Sequence, residues 1–107
     1  MIYEWRVYDT LPGQIPRLHK RFAEHTIRLF EKHGIKSIGY WEEEIGQNNR
    51  LVYLLAFEDL ADRERKWRAF QNDPEWIQVR TETEKDGPIN ALVSNRILRP
   101  TPYSPLK

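Results

Sequence analysis

The sequence contains no cysteine. Without thiols the chain forms no disulfide framework, no thiolate metal site and no cysteine nucleophile. Long hydrophobic runs are also missing, because no stretch approaches the ~18 apolar residues that a membrane-spanning helix needs. The opening letters MIYEWR alternate in polarity, are acidic in part and lack a cleavage site. We therefore expect no signal or transit peptide, no membrane span and a small cytoplasmic domain.

An excess of charge of either sign is missing as well. Seventeen Lys and Arg residues against sixteen Asp and Glu residues give a net charge of +1, which argues against a protein built around phosphate contacts. Hydrophobic residues make up 39% and charged residues 31%, as in soluble globular proteins. A chain of 107 residues is long enough for one domain with a real core. We expect that domain at residues 1–99, followed by a Pro-rich tail at 100–107 that packs on the domain or on a partner.

Four segments of the chain show the alternation and the aromatic and β-branched residues that are typical of strands. The third segment is apolar at nearly every position, on both of its faces. Turn-forming residues at 46–49 predict a hairpin loop between the second and third segments. The predicted strands are residues 2–8, 35–45, 50–57 and 89–98.

Helical periodicity appears twice between these strands. The first predicted helix covers residues 14–33, with Pro16 in its first turn and Gly34 as a left-handed C-terminal cap. A second helix is predicted at 60–71, capped by Asp59, and a further helical segment begins at the pair Asp73-Pro74. The residues of the second helix that we expect to face inward are Leu60, Trp67 and Phe70.

The order of elements, strand, helix, strand, strand, helix, strand, is that of a ferredoxin-like α+β domain. Such a domain has a four-stranded antiparallel sheet with helices on one face. Because the third strand is apolar on both faces, the face without helices needs a cover that this chain does not contain. A second copy, packed sheet against sheet, is the simplest cover. We therefore expect a homodimer formed through the open sheet face.

Five segments of the sequence form recognisable motifs: MIYE (1–4), EKHGIK (31–36), LADRER (60–65), DPEW (73–76) and NRILRPTP (95–102). Together they resemble the NIPSNAP family. The resemblance covers nearly the whole chain and implies a dimeric α/β barrel, in which two ferredoxin-like sheets close around a central cavity. Roles in vesicle trafficking and mitochondrial signalling have been proposed for animal members, and the family has no agreed catalytic residues. Many members have histidine where this chain has Tyr53.

The three histidines, His19, His25 and His33, all lie on the first predicted helix. Paired metal ligands on a helix are typically four residues apart, and these histidines are six and eight residues apart. We expect them at the boundary of the apolar stripe, with His33 complementing the helix dipole. The sequence predicts no metal site and no cofactor.

Glu4 and Arg6 are the charged residues with the strongest indication of a site. They lie two residues apart on one strand and therefore share a face of the sheet. Arg6 is available to an anionic ligand and Glu4 is a potential base. The alternative is a structural pair, in which they satisfy each other or bind Arg96 or Lys36 on neighbouring strands.

Three aromatic residues are predicted to form the apolar wall of the same site. Aromatic side chains on a sheet face can enclose a small apolar molecule. The alternative is that they are ordinary core residues. The predicted wall consists of Trp41, Tyr53 and Phe57.

These observations support a dimeric barrel that binds a small, partly apolar molecule. One alternative is a non-catalytic scaffold whose helices or tail engage another protein. A second is a cofactor-free oxygenase or isomerase, which rests on analogy of fold alone. RNA binding is not expected, because the segment at 49–55 lacks the glycine and the basic pattern of the RNA-recognition module. The sequence does not identify catalytic residues, which stay unknown.

Overall fold

The secondary structure has the order predicted for a ferredoxin-like α+β domain. A computed structural model describes all residues, 1–107. A π-helical turn, Phe22–Thr26, joins the first two helices into one continuous rod. The elements are β1 (Ile2–Thr10), α1 (Ile15–Arg21), α2 (Ile27–Lys32), β2 (Lys36–Glu42), β3 (Arg50–Phe57), α3 (Leu60–Gln71), α4 (Pro74–Thr83) and β4 (Asn90–Leu98).

The four strands form one antiparallel sheet in the order β2-β3-β1-β4. β1 is therefore a central strand with neighbours on both sides. Its register places Arg6 between Tyr53 on β3 and Asn95 on β4. β2 ends at Glu42, three residues before the predicted end, because the chain then bends into the loop that leads to β3.

The helices cover one face of the sheet, and the main core lies between them. Alternate residues of β3 point into this core, and full burial of a side chain such as Leu55 contributes about 1.5–3 kcal/mol. The other residues of β3, including Leu54, point to the face that has no helix. The core consists of Leu18, Phe22, Leu29, Phe30, Ile35, Leu51, Tyr53, Leu55, Phe57, Phe70, Trp76, Val79 and Ile89.

The predicted caps of α3 and α4 are confirmed. The carboxylate of Asp59 accepts a hydrogen bond of 2.8 Å from the Asp62 N–H, and that of Asp73 accepts one of 2.8 Å from the Glu75 N–H.

The prediction that Leu60 faces inward is wrong, because this first residue of α3 lies outside the core and is 61% exposed. None of the helices combines the length and the apolar character that a membrane span requires.

The first predicted helix is continuous, but it is not α-helical throughout. The Ile27 N–H donates to the Phe22 carbonyl, five residues back, and this widens the helix by one residue. The first and last residues of this wide turn, Phe22 and Thr26, are both buried. Arg21, immediately before the wide turn, is buried as well. The periodicity of the sequence did not predict that a charged residue of this helix points inward.

The Pro-rich tail follows β4 and contains one turn, closed by a hydrogen bond from the Ser104 N–H to the Thr101 carbonyl. Its aromatic residue, Tyr103, is 86% exposed in the single chain. Leu106 is also exposed. The packing of this tail on a partner therefore stays a prediction.

Candidate ligand-binding cleft

Glu4 is the centre of a buried hydrogen-bond network on the helix-covered side of β1. Its side chain is 0% exposed. The carboxylate accepts hydrogen bonds from Arg6 Nη1 (2.7 Å) and Asn95 Nδ2 (2.9 Å). It also accepts two from α3, donated by Arg63 Nε (2.9 Å) and Nη2 (3.1 Å). These four residues form what we call the Glu4 network.

The expected pairing of Glu4 with Arg6 is confirmed, but the other expected partners do not take part. Arg96 lies opposite Trp5 and Lys36 lies opposite Ala56, so both are on the face of the sheet without helices. The remaining bonds come instead from Arg63 and Asn95. A helix packed over the sheet thus supplies the partner that strand neighbours were expected to supply.

The Glu4 network contains one carboxylate and two guanidinium groups. Burial alone would raise the pKa of Glu4, but the hydrogen bonds from Arg63, Asn95 and Arg6 hold that pKa below its usual value. Glu4 is therefore ionised at neutral pH. Arg63 is shared with a second carboxylate, because its Nη1 also lies 3.9 Å from an oxygen of the exposed Glu64.

Arg6 connects this network to two tyrosines. Its Nε donates to the Tyr53 hydroxyl at 2.9 Å, and that hydroxyl donates to the Tyr8 hydroxyl at 2.9 Å. Burial raises the pKa of Tyr53 well above its usual value, so the phenol keeps its proton. The Arg6 guanidinium also lies 4.4 Å from the centre of the Trp67 ring, a favourable cation–π distance. Arg6 is thereby held from three sides.

A cleft of about 220 Å³ lies between the sheet and the helices, next to Arg6 and Tyr8. It opens toward solvent beside Val93 of β4, which is 44% exposed. The π-helical turn, α3 and α4 supply half of its lining residues. We call it the aromatic cleft because its lining includes Tyr8, Phe22, Phe30, Trp67, Phe70 and Trp76.

The aromatic cleft also has an unbalanced set of charges. Its lining contains Arg6, Arg21 and Arg80, but only one carboxylate, Glu84. Arg21 is paired with that carboxylate, with 3.0 Å between Nη1 and the Glu84 oxygen. Arg80 on α4 is exposed and takes part in no ion pair. The only other polar side chains of the lining are uncharged.

The structure brings three of the five predicted site residues together and separates the other two. Glu4, Arg6 and Tyr53 are linked by hydrogen bonds. Phe57 lies on the same face, buried in the core opposite Ile2, and does not line the aromatic cleft. Trp41 lies on the opposite face of the sheet.

A bulge in β2 determines the position of Trp41. The register shifts between Ser37 and Gly39, which turns every later residue of the strand to the other face. Trp41 therefore lies opposite Val52, stacks on Trp5 with 6.1 Å between ring centres, and is 47% exposed. Its indole covers Gly39, where an added Cβ would come within 2.6 Å of the ring. Only glycine leaves room for this arrangement.

Four residues of the site were not predicted from the sequence: Arg63, Arg21, Arg80 and Asn95. One signal pointed to Arg63, because it lies four residues before Trp67 and thus on the same face of α3. Spacing also pointed to Arg21, which lies three residues after the buried Leu18 on α1. Its charge argued against an inward position, and the carboxylate that compensates this charge, Glu84, lies 63 positions away in the sequence.

The three histidines have separate surroundings. His19 Nε2 lies 2.5 Å from a carboxylate oxygen of Glu42, and His33 Nε2 lies 2.7 Å from one of Asp73. His25 lies in the π-helical turn. No group of three or more His, Asp or Glu side chains is arranged to hold a metal ion.

Asp73, the cap of α4, gives a testable pH dependence. Hydrogen bonds from Lys32 and then His33 hold its pKa well below the usual value. Its contribution to stability is therefore complete above the pKa of the unfolded chain, about 3.9, and is lost as the pH falls through the lower folded value. Asp73→Asn keeps a capping side chain but removes the charge. We expect this variant to be less stable than the wild type at pH 7, with the difference shrinking below about pH 4.

Urea unfolding of both proteins between pH 7 and pH 2.5 measures this difference. Asp86→Asn is the control, because Asp86 caps no helix and pairs with no cation in the structure. A deficit of Asp73→Asn that stays constant across this range would contradict the assignment.

Comparison with known proteins points to one family. The family model described as NIPSNAP matches residues 3–105. The protein Atu4242 from Agrobacterium tumefaciens is 31% identical, with 100% of each chain covered and a TM-score of 0.88. An uncharacterized NIPSNAP-like domain protein from Burkholderia xenovorans is also 31% identical, with 97% of this chain and 88% of that chain covered and a TM-score of 0.86.

More distant structures show the fold alone. PA3566 from Pseudomonas aeruginosa is 13% identical, with 94% of this chain and 93% of that chain covered and a TM-score of 0.59. None of the curated proteins matches the chain.

Proposed function

Because the chain belongs to the NIPSNAP family, with a match over residues 3–105, and shares the fold of its solved members, we propose that it binds a small, partly apolar molecule in the aromatic cleft. The observation that supports this proposal is the combination of an aromatic wall with the polar groups of Arg6 and Tyr8 at one end. Ligand sites in proteins are typically concave, mostly apolar and equipped with a few well-placed polar groups.

The size of the cleft limits its ligand. Sites for drug-sized molecules typically have about 300–1,000 Å³, and the aromatic cleft has about 220 Å³. A molecule with a single ring suits this volume. Arg6 is held in place by contacts within the chain, to Glu4, Tyr53 and Trp67. Little conformational freedom is therefore lost there on binding, which favours affinity.

A thermal-shift screen of small single-ring compounds tests the proposal. A ligand present at 100 times its Kd stabilises the folded state by about 2.7 kcal/mol, which gives a clear rise in Tm. Trp67 and Trp76 line the cleft, so binding is also expected to change tryptophan fluorescence.

A variant that fills the cleft completes this test. Val93→Trp places a large side chain at the mouth and is expected to abolish the ligand-induced shift. The control is Ile97→Trp, because Ile97 lies on the same face of β4 and is similarly exposed but does not line the cleft. If no compound shifts the Tm, or if the two variants respond alike, the proposal fails.

We further propose that the chain forms a homodimer through the open sheet face. The helices leave Trp5, Val7 and Leu54 of the central strands without a cover. Trp41, Leu92 and Leu98 extend this apolar surface and are exposed in the single chain. A second copy offers an equal apolar surface. The exposed tail, residues 100–107, is proposed to pack on that partner.

A further inference from the structure

We propose that the ligand of the aromatic cleft is a single-ring carboxylate, whose carboxylate is bound by Arg6 and the hydroxyl of Tyr8. Arg80 attracts the anion at the mouth. This inference rests on the proposed function, since it names the chemical class of the ligand for the same cleft. Three independent features of the cleft support it.

The first feature is the charge balance. Of the three guanidinium groups that line the cleft, that of Arg6 is paired with Glu4 and that of Arg21 with Glu84. Arg80 has no carboxylate partner, which leaves the lining with one unpaired positive charge. The Nη2 of Arg6 makes only a contact of 3.5 Å, to the Tyr8 hydroxyl, and therefore still has N–H groups to offer an acceptor. An anion in the cleft balances the charge of Arg80 and accepts hydrogen bonds from Arg6.

The second feature is the direction of the hydrogen bonds. The Tyr8 hydroxyl accepts a bond of 2.9 Å from Tyr53 and a longer contact of 3.5 Å from Arg6 Nη2. A phenol oxygen has two acceptor positions and one proton. Since both acceptor positions are occupied, the remaining function of this hydroxyl is to donate. The protein offers its proton no acceptor, and Tyr8 lines the cleft.

The third feature is the aromatic part of the lining. Phe70 and Trp76 lie with their ring centres 4.8 Å apart, and Trp67 and Phe70 with theirs 5.4 Å apart. These side chains come from α3 and α4 and form a continuous aromatic surface. A flat ring packs well against such a surface. The ligand is therefore expected to be apolar at one end and anionic at the other.

Pairs of acids and amides of the same shape provide the test. Benzoate, phenylacetate and 3-phenylpropionate are each compared by calorimetry with benzamide, phenylacetamide and 3-phenylpropanamide. For the best-fitting pair we expect the acid to bind about tenfold or more tightly, because charge-assisted hydrogen bonds are about twice as strong as neutral ones. The affinity of the acid is also expected to fall with added salt.

Two substitutions in the Glu4 network test which arginine binds the carboxylate of the ligand. Arg6→Met and Arg63→Met each remove one of the two guanidiniums that bind Glu4, so both affect stability through the same carboxylate. Only Arg6 lines the cleft. We expect Arg6→Met to remove the preference for the acid over the amide, and Arg63→Met to retain it.

Milder substitutions test the same proposal with variants that are expected to keep the fold. Tyr8→Phe removes only a hydroxyl and is expected to weaken binding of the acid about five- to tenfold. Arg80→Gln is expected to weaken it a few-fold, mainly at low salt. Arg99→Gln is the control for Arg80, because Arg99 is exposed, forms no ion pair and does not line the cleft.

The outcomes separate the two proposals. If every acid and its amide bind equally well, the ligand class is wrong and the cleft remains a binding site. If an acid is preferred but Arg6→Met and Tyr8→Phe leave that preference unchanged, the assigned anchor is wrong. If no compound of either kind binds, both this inference and the proposed function fail.

Discussion

Replacing Glu4 with glutamine is expected to lower the free energy of unfolding by about 3–5 kcal/mol. The substitution keeps the shape of the side chain, but it leaves Arg6 and Arg63 close together without a negative charge. Breaking a buried ion pair from one side is costly, because the partner charges remain buried. For a domain of this size, such a loss lowers the Tm by more than about 10 °C.

Chemical denaturation of the purified variant measures this loss. The control is Glu82→Gln on α4, because Glu82 is exposed and its ion pair with Lys85 has an N–O distance of 2.8 Å at the surface. Exposed pairs contribute only about 0–1 kcal/mol. If the two variants unfold at similar denaturant concentrations, Glu4 is not the centre of the buried network.

Replacing Leu54 with aspartate is expected to convert a dimer into a monomer. Leu54 lies on the open face of the central strand β3, opposite Trp5 of β1. In the proposed dimer, the carboxylate would be buried in an apolar interface without a partner. A cost of about 4 kcal/mol lowers the association constant by about a thousandfold.

Sedimentation equilibrium distinguishes the two states, because one chain has a mass of 12.9 kDa. The wild type is expected at twice this mass at micromolar concentration, and Leu54→Asp at the mass of one chain. Leu60→Asp makes the same change at an exposed leucine of α3, away from the open face, and should remain dimeric. A monomeric wild type would contradict the proposed dimer.

The fold could be predicted from the sequence because its elements are encoded locally. Alternation identified the strands, and Asp59 and Asp73 marked the beginnings of α3 and α4. The sequence of β3 alone does not determine which of its faces packs against the helices, since both faces are apolar. The structure places Tyr53 and Leu55 toward the helices, and Leu54 on the open face.

The candidate site was only partly predictable, for two physical reasons. The first reason is the bulge in β2, because a shift of register by one residue moves the later side chains of a strand to the opposite face of the sheet. No residue pattern in β2 indicated the shift that moved Trp41. The second reason is distance along the chain, since the buried Arg21 is paired with Glu84, which lies 63 positions away and which no local pattern indicates as its partner. Glu4 and Arg6 were identified correctly as a pair because a shared strand face depends only on their spacing of two.

The hydrogen bond between Asn95 and Glu4 joins residues that are 91 positions apart in the sequence. Arg63, which donates to the same carboxylate, is 59 positions from it. Contacts of such large separation form slowly, since the intervening chain must be closed into a loop first. During synthesis, Glu4 emerges long before either partner and has only Arg6 beside it. The Glu4 network is therefore completed only when β4 docks, and we expect the proposed binding of an anion to report that folding is complete.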